Sequence, residues 1–136
     1  YFETLVSSLA LDGGVRLQGA LSQVGEEYAK ARLLCLPSRW EGFPDALAEA
    51  MAHGLPVVGF RECPGVNSMI DHGADGLLAA GNGDAAALSA ALDKLMADPE
   101  KRASMGAAAA RVAQRYSPER IMDEWEILLR EVSNHA

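Results

Sequence analysis

Residues 33–60 read LLCLPSRWEGFPDALAEAMAHGLPVVGF, and this stretch decides the fold. It opens and closes with continuous apolar runs, 33–36 and 57–60, which are typical of strands buried in a parallel sheet. Between them a helix is predicted over about 44–53, because proline suits its first position and Gly-Leu-Pro makes a strong stop. A strand, a helix and a second strand in this order predict a parallel α/β sheet with helices on both sides.

The same alternation extends outward along the chain. Further strands are predicted at 15–19 and 76–80, and helices at 22–31 and near 66–72. The first residues resemble the end of a helix, and the chain begins without methionine. We therefore expect residues 1–136 to be an N-terminally truncated piece of a longer protein.

The second half of the chain is predicted to be helical, with proline-led helix starts at Asp98-Pro99 and Ser117-Pro118. Apolar side chains recur there at helical spacing, and we expect them to lie in the core: Leu88, Leu92, Leu95 and Met96; Met105, Ala109, Val112 and Tyr116; Ile121, Trp125, Leu128, Leu129 and Val132. The last of these stripes could also pack on a further domain.

Composition excludes several classes of function. The chain has 136 residues, of which 49% are hydrophobic, which is enough for one domain with a core. With Lys+Arg 12 against Asp+Glu 19, the net charge is -7, and no basic stripe predicts a nucleic-acid partner. No apolar run approaches the roughly 20 residues of a membrane span, and no signal peptide is visible, so a cytoplasmic location is expected. Cys35 and Cys63 lack metal-site spacing, and no metal is expected.

The candidate site is the loop 37–43, because ligands of parallel sheets bind beyond the carboxyl ends of the strands. This loop contains Ser38 and Gly42, and a glycine lets the backbone approach a ligand closely. The helix that follows directs its free N–H groups and the positive end of its dipole into the same crevice. A phosphate could bind there without a side-chain cation.

Two glutamates flank this helix tip. Glu41 precedes the helix, whereas the backbone of Glu49 lies about 7.5 Å along its axis, at 1.5 Å per residue from Pro44. Helical side chains lean toward the N-terminus, which brings the Glu49 carboxylate closer to the crevice. Carboxylates accept paired hydrogen bonds from vicinal hydroxyls, so a ligand with hydroxyls, phosphates and hydroxyls in sequence matches this order. A nucleotide sugar is such a ligand; the alternative is that both glutamates are solvated or cap the helix.

Several segments together carry a family resemblance. The stretch 37–58, with its two glutamates separated by seven residues, closely resembles the E-x7-E segment of retaining, GT-B-type glycosyltransferases of family 4. The similarity extends over nearly the whole chain through the segments VRLQGAL (15–21), DGLLA (75–79), LMADPEKRASMG (95–106) and YSPERI (116–121). The run CPGVN (63–67) is similar to the branch that builds bacterial lipopolysaccharide or other surface polysaccharides.

The resemblance implies that the chain is part of the C-terminal, Rossmann-like, donor-binding domain of a GT-B fold. The family's acceptor domain and its basic pair for the phosphates would lie upstream of Tyr1. The donor would be a nucleotide-diphosphate sugar, UDP- or GDP-linked, and no cofactor is implied. The acceptor would be a saccharide or lipid-linked molecule, and the full-length protein could lie at the inner membrane surface.

The resemblance also implies residue roles. Glu49 would hold the ribose hydroxyls, and Glu41 would orient the donor hexose, although a covalent nucleophile role for Glu41 stays open. Ala20 and Leu21 would lie against the base. The diphosphate would meet the backbone around the helix start, at Gly42, Phe43, Pro44, Asp45 and Ala46.

Four further positions bear on the candidate site. Arg39 and Arg61 follow strands toward the ligand edge and are either phosphate ligands or solvated. Ser68 stands where many relatives carry a glutamate, so any contact of that glutamate is in doubt here. His53 is predicted to cap the last helical turn rather than to carry a proton.

The sequence therefore predicts a glycosyltransferase domain that would be inactive in isolation. The alternative is a catalytically degenerate nucleotide-binding or scaffolding module, which the intact glutamates argue against. A dehydrogenase is disfavoured, because no G-x-G-x-x-G follows a strand.

Overall fold

The computed structural model describes residues 1–134. Its elements in chain order are α1 (Phe2–Ser8), α2 (Val24–Lys30), β1 (Leu34–Leu36), α3 (Asp45–Ala52), β2 (Val57–Phe60), α4 (Pro64–Met69), β3 (Gly76–Ala79), α5 (Ala85–Met96), α6 (Pro99–Ala109), α7 (Val112–Arg115) and α8 (Pro118–Ser133).

The three strands form one parallel sheet in the order β1-β2-β3. Leu34 pairs with Val57, and Val57 in turn pairs with Gly76. All four residues of the central strand β2 are buried, as expected for a strand covered on both faces. The predicted α/β fold is confirmed, with helices packed against a parallel sheet.

The helix α3 owes its position to its apolar face. Leu47, Ala50 and Met51 are spaced at i, i+3 and i+4, and each is 0% exposed. This face packs on β1 and β2 and against α6 and α7. Glu49 lies between these buried positions in sequence and is left on the exposed side of the helix.

The predicted helix starts of the second half are confirmed. Asp98 accepts a hydrogen bond from the Lys101 N–H at 2.9 Å, and Ser117 accepts one from the Arg120 N–H at 3.3 Å. A proline occupies the first turn in both helices, where its missing N–H costs nothing.

The predicted strand at 15–19 is wrong. These residues are exposed and pair with no strand in the described part of the chain, and the sheet ends at β1. A strand forms only where a neighbour supplies the hydrogen-bond ladder, which a local pattern cannot reveal. Five other predicted elements are present with different ends. In chain order, the predicted ranges 22–31, 33–36, 44–53, 66–72 and 76–80 are observed as 24–30, 34–36, 45–52, 64–69 and 76–79, respectively.

Burial of the C-terminal helices is only partly as predicted. Leu95, Met105, Ala109 and Val112 are buried, with Leu88, Leu92 and Tyr116 packed at the edge of the core. Met96 is 65% exposed, and the stripe of α8 is wrong as a core prediction, since no residue of α8 is buried. Nothing within residues 1–134 covers that face.

No described helix combines the length and the apolar character required to cross a bilayer.

Two glycines bring α6 close to the end of α3. Gly54 has φ +75, a left-handed conformation that ends α3 and that glycine adopts without steric cost. A Cβ built on Gly106 of α6 would overlap the carbonyl oxygen of Gly54. The two backbones are therefore in contact at a distance that only glycine at position 106 permits.

Candidate functional site

The loops that follow the three strands meet at one edge of the sheet. The Asn82 side-chain amide, after β3, donates to the Arg39 carbonyl, after β1, at 2.7 Å. The Arg61 N–H, after β2, donates to the Ala79 carbonyl at 2.9 Å. The predicted ligand edge is therefore a connected rim rather than three independent loops.

The start of α4 lies directly against the loop that carries Glu41. A Cβ built on Gly65 would be 2.6 Å from the carbonyl oxygens of both Glu41 and Gly42. Real Cβ atoms do not approach backbone oxygens so closely. Gly65 thus determines how near α4 comes to Glu41, whose side chain is half-buried.

The N-terminus of α3 presents unpaired amides between the two glutamates. None of the described residues accepts a hydrogen bond from the N–H groups of Gly42, Phe43 or Ala46. No side chain caps this helix. Pro44 has no N–H and is the N-cap, and the Asp45 N–H is engaged with the Phe43 carbonyl at 3.1 Å. Of the amides predicted to meet a diphosphate, those of Gly42, Phe43 and Ala46 therefore have no acceptor among the described residues.

The other end of the site is organised by a tyrosine. The Tyr28 hydroxyl, on α2, lies 3.3 Å from Glu49 Oε2 and 3.3 Å from the Ala46 carbonyl oxygen. Tyr28 is 8% exposed. Burial first, and the nearby Glu49 second, raise the pKa of the Tyr28 hydroxyl, which keeps it a proton donor at neutral pH.

His53 completes this end of the helix. Its Nδ1 lies 2.8 Å from the Glu49 carbonyl oxygen, and its ring packs against Tyr28 with centroids 5.2 Å apart. This is the last-turn contact predicted for His53.

Other predicted site residues differ in their surroundings. Ser38 is half-buried within the loop 37–43, whereas Phe43 is 51% exposed and packs edge-on against Tyr116. The Arg39 guanidinium lies against Gly83. Arg61, Ala20 and Leu21 are exposed, and within residues 1–134 their side chains form no hydrogen bond or ion pair with Glu41 or Glu49.

Ser68 makes a local contact in place of any longer reach. Its hydroxyl donates to the Gly65 carbonyl at 3.0 Å, within its own helix. The Ser68 hydroxyl thus hydrogen-bonds a carbonyl of its own helix and does not extend toward the loop of Glu41.

Sequence reasoning missed two residues of this site, Tyr28 and Gly65. Tyr28 is 21 positions from Glu49, and no local pattern joins them. The Pro-Gly pair in the loop before the helix predicted near 66–72 was a visible signal for Gly65, because glycine is used where another backbone segment approaches closely.

Comparisons with known proteins find similarity over most of the chain. A model of the family described as glycosyl transferases group 1 matches residues 1–112. The chain is 37% identical over 129 residues to an exopolysaccharide phosphotransferase of Streptomyces coelicolor, an alignment that covers 94% of this chain and 14% of that protein.

Two solved structures have the same fold. Sucrose-phosphate synthase of Thermosynechococcus elongatus superimposes with a TM-score of 0.85 at 27% identity, over 99% of this chain and 34% of that one. HepE of Anabaena, solved in complex with UDP, gives a TM-score of 0.83 at 24% identity, over 96% of this chain and 36% of that one. The chain thus spans about a third of these structures.

Proposed function

The chain belongs to the glycosyl transferases group 1 family, and from this premise we propose that it is the donor-binding half of a GT-B-type glycosyltransferase. An upstream Rossmann-like domain would complete the cleft and bind the acceptor. The complete enzyme would transfer a hexose, with retention, from a UDP- or GDP-linked donor to a saccharide or lipid-linked acceptor.

The biological setting that we propose is the synthesis of lipopolysaccharide or another surface polysaccharide, in the cytoplasm or at the inner membrane surface. The similarity to an exopolysaccharide enzyme supports the polysaccharide setting. Because that alignment covers 14% of the relative, its phosphotransfer activity is not carried over.

The observation that carries the proposal is the set of unpaired amides at Gly42, Phe43 and Ala46, which lie between Glu41 and Glu49 along the chain. The free N–H groups of Gly42, Phe43 and Ala46 suit a diphosphate, because they add hydrogen bonds to the positive end of the helix dipole. Carboxylates on either side would repel phosphate and accept from hydroxyls. In this arrangement Glu49 holds the ribose and Glu41 orients the hexose.

Such a site would assist the reaction electrostatically. Breaking the sugar–phosphate bond leaves negative charge on the departing diphosphate. Amides already directed at that position stabilise the charge as it develops and need no reorganisation. No metal is required by this scheme, and the family's basic pair would add to the same effect from upstream.

Turnover separates this proposal from its alternative, a degenerate nucleotide-binding or scaffolding module. The complete protein should release UDP or GDP from at least one sugar nucleotide in a donor panel when acceptor is supplied. Binding of nucleotide without turnover of any donor would favour the degenerate module.

Replacing Glu49 with alanine in the complete protein is expected to weaken nucleotide affinity about tenfold, the effect of losing a hydrogen bond to a charged group. Isothermal titration with UDP and GDP measures this directly. Glu100→Ala, an exposed glutamate on α6, is the matched control and should retain wild-type affinity. Unchanged affinity in Glu49→Ala would remove the ribose role.

Replacing Gly42 with alanine tests the diphosphate position separately. A Cβ on Gly42 meets nothing within 4 Å, so the melting temperature should stay at the wild-type value. A ligand lying on the neighbouring amides would collide with the new methyl group, and we expect about tenfold weaker UDP binding. Wild-type affinity in this variant would mean that the diphosphate does not approach position 42.

A further inference from the structure

We propose that Tyr28 is a positioning residue: its hydroxyl orients the Glu49 carboxylate for the hydroxyls of the donor ribose. This inference rests on the proposed function, which assigns the ribose to Glu49. It concerns a residue outside the E-x7-E segment, on a helix that precedes the first strand.

The first argument is geometric. The Tyr28 hydroxyl reaches Glu49 Oε2 and the Ala46 carbonyl, each at 3.3 Å, and the two acceptors lie one helical turn apart on α3. A hydroxyl has one proton, so it is shared between them. The Tyr28 ring is itself held by burial and by packing on His53. The hydroxyl therefore stands at a defined point relative to α3.

The second argument concerns the oxygens that remain free. Glu49 is exposed, and an exposed glutamate samples several rotamers. A contact at Oε2 restricts these rotamers and leaves Oε1 available to accept from a ligand. Two vicinal hydroxyls would then meet a carboxylate that is already oriented, and less conformational entropy would be lost on binding.

The third argument is that the contact is not required for folding. The aromatic ring of Tyr28 fills its buried position, and its packing on His53 involves ring atoms. Phenylalanine preserves both features and removes only the hydroxyl. Tyr28→Phe thus removes the contacts of the hydroxyl with Glu49 and with the Ala46 carbonyl and leaves the ring in place.

The experiment compares nucleotides with and without ribose hydroxyls. UDP, GDP and their 2′,3′-dideoxy counterparts are titrated into the complete protein as wild type, Tyr28→Phe and Glu49→Ala. Tyr1→Phe, with its side chain on a residue that is 91% exposed, controls for loss of a tyrosine hydroxyl as such. Melting temperatures of all variants are measured in parallel.

We expect Tyr28→Phe to weaken binding of the ribonucleotide about fivefold and to leave binding of the dideoxynucleotide unchanged. Equal losses for both nucleotides would indicate a merely structural role and overturn the proposal. Wild-type affinity in Tyr28→Phe, with a loss in Glu49→Ala, would overturn it while leaving the proposed function intact. If the wild-type protein binds neither ribonucleotide, the proposed function fails and the role of Tyr28 with it. Equal binding of the ribonucleotide and the dideoxynucleotide by the wild type would remove the ribose role of Glu49 and overturn the role of Tyr28.

Discussion

Alanine at position 65 is expected to lower kcat/KM for sugar transfer about 100-fold in the complete protein. The new Cβ would be 2.6 Å from the carbonyl oxygens of Glu41 and Gly42, and 3.0 Å from the Glu41 carbonyl carbon. Because these are backbone atoms, the overlap can be removed only if α4 or the loop of Glu41 moves. A misplacement of about 1 Å at a group that orients the substrate costs about this factor.

Initial-rate kinetics with a donor that the wild type accepts would test this expectation. Gly13→Ala is the matched control, because a Cβ there meets nothing within 4 Å and the residue lies outside the site. It should retain wild-type kinetics. Wild-type kcat/KM in Gly65→Ala would show that the loop of Glu41 tolerates displacement, and would contradict a precise role for that glutamate.

Alanine at position 106 is expected to lower the local free energy of unfolding by about 3 kcal/mol, the upper range for overpacking in a core. The direction of this effect is informative, because helix propensity alone would make Gly106→Ala more stable than the wild type by about 1 kcal/mol. Here the Cβ would overlap the carbonyl oxygen of Gly54, and Gly54 is itself held at φ +75. The backbone at Gly106 or at Gly54 can move to remove this overlap only if α6 separates from α3.

Gly25→Ala provides the matched comparison in another helix. A Cβ on Gly25 would lie 3.5 Å from His53 Nε2, an ordinary van der Waals distance. This variant should be as stable as the wild type or more stable by up to about 1 kcal/mol. Native-state hydrogen exchange of the β2 amides measures both effects in the complete protein. Equal protection in Gly106→Ala and wild type would contradict the predicted overlap.

The sequence predicts this fold well wherever the signal is local. The apolar runs at β1 and β2, and the proline and glycine that bound α3, identify the central strand–helix–strand unit. Caps at Asp98 and Ser117 are equally local. The strand predicted at 15–19 fails because pairing depends on a distant neighbour, and Trp125 and Met96 fail as core residues because burial depends on what packs on them.

The candidate site, like the fold, could be predicted only where the signal in the sequence is local. The spacing of Glu41 and Glu49 on either side of a helix start is visible in the sequence. The contact between Tyr28 and Glu49 joins two helices separated by a strand, and the contact of Gly65 joins the start of α4 to the loop after β1, so neither follows from spacing. The engagement of the Asp45 amide with the Phe43 carbonyl is a detail of local backbone conformation that a helix prediction does not resolve.

The connection between the loops after β1 and β3 bears on the kinetics of ligand capture. The Arg39 carbonyl accepts a hydrogen bond from the Asn82 side-chain amide, whereas the exposed Arg39 guanidinium forms no hydrogen bond or ion pair with the described residues. An exposed side chain of this kind loses conformational entropy when it is fixed on a bound anion, and this loss offsets part of the gain from the contact. The guanidinium would act through its long-range field, which raises encounter rates, while short hydrogen bonds decide residence times. Arg39 would therefore influence how fast a charged donor arrives more than how long it stays.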